Sequence, residues 1–247
     1  MFLYSLISYT HILKHPPVWP DEAIYAEMAQ HLIASNSLKT NLWGETIPHM
    51  TTQAMFYPPL LIYLVAGVQL LFGVSIEAQR MLAVIFGLVI VLVLLPLKYK
   101  SSSARIGLYS LLPSLLFITN VQALRISRFT RPEVFVIAIG LLALICVHRA
   151  LNSSSRHSTR LLFLAGLAAG AACIVHQMGS IYVVSIATSL LILRSRIRPV
   201  QAFSILGGFL SATGLWLYNI VIHWDIFSTS YQTWICWENT NHSMVFN

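Results

Sequence analysis

Long apolar runs alternate with short charged clusters along most of the chain. Residues 78–97, 106–123, 133–147, 161–193 and 200–222 are the main runs. About 20 apolar residues cross a bilayer core as a helix, so each run predicts one span. The 161–193 run is long enough for two, broken at His176-Gln177-Met178-Gly179. Residues 1–13 are apolar but short, and read as a clipped first helix. Residues 58–73 are also apolar and short, ending at Gly73 after the paired Pro58-Pro59. Within the polar stretch 14–55, Ile24, Met28 and Leu32 recur at four-residue spacing, which predicts a helix lying on an apolar surface. Residues 223–247 form a polar, aromatic tail. The expected fold is an all-α polytopic membrane protein of about 6–7 transmembrane helices, with surface-lying helices in the first outer loop. It forms a single membrane domain over 1–247: outer loop 14–76, bundle 77–222, outer tail 223–247.

Charge supplies the orientation. Only 9% of the 247 residues are charged, against roughly a quarter in soluble chains, so lipid is the main solvent. Loops 98–105, 149–160 and 194–198 carry nine of the fifteen Lys and Arg and none of the eight acids. If 58–73 does not cross but lies along or re-enters the interface, all three loops fall inside and every acid falls outside. If 58–73 crossed, the nine cations would sit outside, against the positive-inside rule. The expected location is therefore the plasma (inner) membrane, with the first loop facing outward. Arg125, Arg128 and Arg131 are the exception: they fall outside, which suggests an anionic partner.

Several classes drop out. The +7 net charge sits between apolar runs, with no basic stripe carrying aromatics, so nucleic acid is not an expected partner. Cys146, Cys173 and Cys236 have no metal-binding spacing and receive no role. There is no GxSxG, HExxH, Walker loop or GxGxxG, and no internal repeat of the transporter kind.

The remaining candidates are polar groups at helix ends. Asp21 and Glu22 follow Pro20; they suit a helix start, with Asp21 as N-cap, and equally a desolvated base at the membrane surface. Glu133 follows Arg131-Pro132 at the head of a span, where an acid calls for a partner such as Arg131, Arg128 or a metal. Arg125, Arg128 and Arg131, three apart, would line one helix face and suit a phosphate. His176 interrupts a pair of spans at their outer turn, and Tyr57 precedes Pro58-Pro59 at a helix entry.

Taken in order, Pro20-Asp21-Glu22-Ala23-Ile24-Tyr25-Ala26, then Phe56-Tyr57-Pro58-Pro59-Leu60-Leu61, Leu71-Phe72-Gly73, Ala78-Gln79-Arg80-Met81 and Arg131-Pro132-Glu133 resemble one family of membrane glycosyltransferases. It includes the aminoarabinose transferases of lipid A and the protein O-mannosyltransferases, and has the GT-C fold. The resemblance implies sugar transfer from a polyprenyl-phosphate donor to a lipid, glycan or protein acceptor on the extracytoplasmic side. It implies Asp21 as the catalytic or metal-linked carboxylate, with Glu22 as its support. Glu133 is implied as the second acid, and Arg80 as a basic residue grouped with the donor-phosphate ligands Arg125, Arg128 and Arg131. A divalent metal, held by Asp21 and Glu133, is the one cofactor this implies. Phe56-Tyr57 stands where some relatives carry Glu-Lys, and Val175-His176-Gln177-Met178-Gly179 where many carry Thr-Lys-Gly. His176 would replace that cation only when protonated or metal-bound. Relatives are commonly much longer, so the chain reads as a truncated member. The competing readings are a transporter or flippase of lipid-linked sugars, and an inactive truncated membrane protein.

This orientation has a direct test. A single cysteine placed within residues 14–55 is expected to react with a membrane-impermeant maleimide added to intact cells; labelling only after permeabilisation would invert the topology.

Overall fold

The computed structural model describes residues 2–10, 12, 17–95, 111–193 and 197–245, with side chains undescribed at 2, 3, 155 and 237–245. Eleven α-helices are described: α1 Phe2–Tyr9, α2 Pro20–Ser35, α3 Leu60–Phe72, α4 Ile76–Leu94, α5 Leu112–Thr119, α6 Val121–Ile126, α7 Pro132–Leu151, α8 Ser155–Val175, α9 Ser180–Ile192, α10 Pro199–Ile222 and α11 Trp224–Val245. A 3-10 turn, Gln177–Gly179, joins α8 to α9.

Helix starts follow local chemistry. Pro20, Pro132 and Pro199 each open a helix at its first position, where no backbone N–H is required. Ser75 caps α4, its hydroxyl accepting from the Ala78 N–H at 3.3 Å. Asn36 ends α2 in the left-handed region, at φ 51°.

Among the described residues, α4, α7, α10 and 156–175 of α8 are long and apolar enough to cross a membrane. They supply four of the expected six to seven spans. α9, at 13 residues, rises only about 20 Å. α3, also 13 residues, is likewise too short to cross unaided.

Several expectations change. The span expected at 106–123 is, from Leu112 on, two short helices: Asn120 leaves α5 extended and caps α6, its Oδ1 accepting from the Ala123 N–H at 2.9 Å. Residues 106–110, the basic loop at 98–105, and Arg194 and Arg196 lie outside the described residues. The polar loop expected at 149–160 shrinks to 152–154, because α7 continues to Leu151 and α8 begins at Ser155. The tail is helical, and α11 packs back on the first loop: Phe56 lies 5.1 Å from Trp234 between ring centroids, and the Ser230 hydroxyl donates to the Pro48 carbonyl at 2.9 Å.

One core joins the elements. Ile24 and Met28 of α2 are buried with Leu61, Ile62 and Val65 of α3 and with Val134 and Phe135 of α7. Leu32 completes the expected α2 stripe from the edge of this cluster. The closest helix pair is α8 with α10. A Cβ on Gly166 would lie 2.0 Å from the Ile205 carbonyl oxygen, and one on Gly208 the same distance from the Phe163 oxygen. Backbones approach this closely only over glycine.

The described cations Arg149, Arg156, Arg160 and Arg198 all stand at one end of the bundle, where α7 ends and α8 and α10 begin. The starts of α2, α4 and α7 carry the acids Asp21, Glu22, Glu77 and Glu133.

Gly166→Ala is expected to lower stability by about 1–3 kcal/mol through overpacking. Gly207→Ala, with nothing within 4 Å of its Cβ, should be neutral or slightly stabilising. Thermal unfolding of the two variants in detergent checks the difference.

Candidate functional site

The site forms where the starts of α2 and α7 meet the turn 127–131. Its centre is a buried ion pair between Glu22 and Arg80, whose side chains are 2% and 0% exposed. Arg80 Nε donates to Glu22 Oε1 at 2.9 Å and Nη2 to Oε2 at 2.7 Å. The same carboxylate accepts the Thr130 N–H at 3.1 Å and the Trp19 N–H at 3.0 Å. Arg80 also donates to the carbonyls of Ile12, at 2.6 Å, and Pro17, at 3.3 Å. A buried charge is tolerated when it is paired and its remaining lone pairs are satisfied, and both conditions hold here.

Two assignments are corrected by this arrangement. Arg80 is fully buried and spends its guanidinium on Glu22 and the Ile12 and Pro17 carbonyls, so it presents no face to a donor phosphate. Glu22, expected as the support of Asp21, spends both carboxylate oxygens on Arg80 and on two backbone N–H groups. Asp21 is not the helix cap: Trp19 occupies that position, and Glu22 reaches back to its N–H as half of a capping box.

Asp21 remains free to act. Its side chain is 30% exposed, and its nearest cation is Arg131, with Nε 3.7 Å from Oδ2. Burial pushes its carboxyl above the usual range, while Arg131 and the Trp19 indole N–H pull it back. Arg131 makes a closer contact with Glu133, at 2.6 Å, which meets the expected need for a partner at the head of the span. The Arg131 guanidinium also lies over the Trp19 ring, 5.3 Å from its centroid.

The three arginines do not share a helix face. α6 ends at Ile126, so only Arg125 is helical. Arg125 is exposed, 5.9 Å from the Phe129 ring centroid, and Arg128 donates to the Thr10 carbonyl. Phe129 and Trp19 form an edge-on pair between these cations. Their sequence signal was faint: Phe129 simply follows Arg128, and Trp19 lies two residues before Asp21.

Four of the seven buried side-chain polar atoms without a hydrogen-bond partner among the described residues lie in this turn or at the start of α7: Arg128 Nε, Thr130 Oγ1, Arg131 Nε and Glu133 Oε2. Buried polar atoms are normally satisfied, which sets this cluster apart.

His176 turns toward this end. Burial and the nearby Arg131 lower its pKa, and Nδ1 accepts from the Met178 N–H at 3.2 Å. The ring is therefore neutral with its proton on Nε2 at neutral pH, and supplies no cation. Tyr57 packs edge-on against Tyr25, with centroids 5.6 Å apart, and burial raises both hydroxyl pKa values. Tyr57 also borders a cleft of about 650 Å³, lined by Asn36, Gln53, Tyr63, Trp216 and Asn219 among others.

A metal between Asp21 and Glu133 does not fit the donor set. The group between the two carboxylates is the Arg131 guanidinium. Among the described residues, no three His, Cys, Asp or Glu side chains gather as a metal site.

A sequence model of the family described as dolichyl-phosphate-mannose-protein mannosyltransferase matches residues 57–222. No curated protein matches the sequence significantly. The fold is similar to the crystal structure of ArnT from Cupriavidus metallidurans bound to undecaprenyl phosphate, with TM-score 0.68 and 16% identity. That likeness covers 92% of this chain and 41% of ArnT, so the chain spans about two fifths of its neighbour's length.

Arg80→Met leaves the Glu22 carboxylate buried and unpaired, and is expected to cost about 3–5 kcal/mol. The double variant Glu22→Leu/Arg80→Met should recover a large part of that loss. Detergent melting curves of the single and double variants check the coupling.

Proposed function

The chain belongs to the dolichyl-phosphate-mannose-protein mannosyltransferase family, and from that premise we propose that it moves a sugar from a polyprenyl-phosphate carrier to a hydroxyl acceptor at the extracytoplasmic face. The observation that carries this reading is Asp21: a half-buried carboxylate of raised pKa, beside a guanidinium, at the acid-bearing end of a membrane-spanning GT-C bundle. The undecaprenyl phosphate bound by ArnT supports the donor class.

In the proposed reaction the acceptor oxygen forms a bond to the anomeric carbon as the bond from that carbon to the phosphate oxygen breaks. The acceptor proton passes to Asp21, whose desolvation makes it a better base than a solvated carboxylate. The leaving lipid phosphate carries the negative charge away and needs fixed donors. Arg131 is held at the site by Glu133 and keeps Nε unpartnered. Arg128 likewise retains a free Nε, and Arg125 stands exposed at the rim. These three form the proposed phosphate set, with Arg80 excluded. The cleft beside Tyr57 is the proposed space for an incoming substrate, its volume within the ordinary range of ligand pockets. The cation-rich opposite end supports an outward-facing site.

Membranes containing the chain are expected to transfer label from radiolabelled polyprenyl-phosphate sugars to material in a membrane extract. Asp21→Asn should insert normally and lower transfer roughly 100-fold. Transfer at the parent rate by this variant would refute the assignment. Activity should also fall on acidification at a pH above the ordinary Asp pKa of 3.8, because the raised pKa means Asp21 takes up its proton earlier.

A further inference from the structure

The closest charged contacts in the site differ in one respect. Arg80–Glu22 closes to 2.7 Å and Arg131–Glu133 to 2.6 Å, whereas Arg131–Asp21 stands at 3.7 Å. Nothing in the chemistry of the groups explains this, since all three are guanidinium–carboxylate pairs. Chain position does. Glu22 immediately follows Asp21, and Thr130 immediately precedes Arg131. The Thr130 N–H is bonded to Glu22 Oε1, the oxygen that also takes Arg80 Nε. A single buried carboxylate thus holds the neighbours of both Asp21 and Arg131.

We infer that the Glu22–Arg80 pair is a positioning device: it sets the spacing between Asp21 and Arg131 and stops the carboxylate from collapsing onto the guanidinium. The inference rests on the reading of Asp21 as the base. A collapsed Asp21 would share its charge with Arg131 and lose basicity, and Arg131 Nε would no longer be available to a phosphate. At 3.7 Å the two groups attract without a hydrogen bond, and Arg131 Nε stays unpartnered. Arg80 suits the task because its planar fork meets both carboxylate oxygens while its outer nitrogens hold the Ile12 and Pro17 carbonyls. Lysine would keep the charge and lose the fork.

The ionisable groups facing Asp21 are Glu22 and Tyr25 on its own helix, Tyr57 ahead of α3, and Arg131 and Glu133 at the head of α7. Loosening the brace brings Arg131 closer to Asp21 without changing this set. The acid limb of the transfer–pH profile then moves to lower pH, since a tighter cation favours the ionised carboxylate.

The test compares Arg80→Lys, Glu22→Gln and Thr130→Pro, the last removing the Thr130 N–H and hydroxyl but no charge. Transfer from radiolabelled polyprenyl-phosphate mannose is measured against pH in membranes normalised for protein content. Arg80→Lys is expected to shift the acid limb down by on the order of one pH unit. Its kcat should fall about tenfold while the donor KM holds, and Thr130→Pro should move the limb in the same direction by less. Glu22→Gln also removes a negative neighbour of Asp21, and should shift the limb furthest. A purely structural brace would change the amount of inserted protein and leave both the limb and kcat in place; that outcome overturns the inference. Where Arg80→Lys and Glu22→Gln do not accumulate, an unshifted limb in Thr130→Pro overturns it equally. Asp21→Asn separates the two ideas: full transfer by that variant removes the base itself, whereas its inactivity beside unshifted brace variants removes only the positioning role.

Discussion

The buried pair of Glu22 and Arg80 is the constraint around which the acid-bearing end of this protein is arranged. It joins four stretches far apart in sequence: the strap at Ile12 and Pro17, the start of α2, the start of α4, and the turn before α7. Two charges out of water are costly, and here every oxygen of the carboxylate accepts at least two donors. Because the pair is satisfied internally, neither member is left to meet a substrate. In the proposed reaction the chemistry falls to Asp21, next to Glu22 in sequence, and to Arg131, next to Thr130, both of which stay partly exposed.

Around these two residues the surroundings divide the charges. Arg80 of α4 and Arg125 of α6 lie against the Phe129 ring, and Arg131 lies over Trp19, so that the aromatic pair meets three cations from different elements. Glu133 secures Arg131 from the α7 side. On the other side Tyr25 and Tyr57 separate Asp21 from the cleft that Tyr57 borders. A carboxylate, a secured guanidinium and an adjoining cleft are what displacement of a lipid phosphate by a hydroxyl would require.

The helical pattern was legible where physics is local. The α2 stripe, the break at His176, the start of α7 at Pro132 and the shortness of α3 each follow from periodicity, proline or run length. Where the chain departed from expectation, a longer-range term decided. Asn120 divides an apolar run that hydropathy alone would continue, because its side chain captures a backbone N–H. α11 is helical and packed, although its composition reads as a tail, because Phe56 and Pro48 offer it a surface.

From sequence alone came the membrane setting, the order of the long apolar helices, and the short roster of acids and arginines from which a site must be drawn. Those properties depend on counts and on spacing along one chain. Which acid is buried and paired and which stays partly exposed was decided only in three dimensions. Asp21 and Glu22 are adjacent and chemically alike, and their difference lies in which of them meets Arg80, 58 residues away. The same holds for the arginines: three-residue spacing suggested one face, but the helix stops at Ile126 and the turn sends each guanidinium to a different partner. Burial and pairing are properties of neighbours brought together by folding, and no local pattern encodes them.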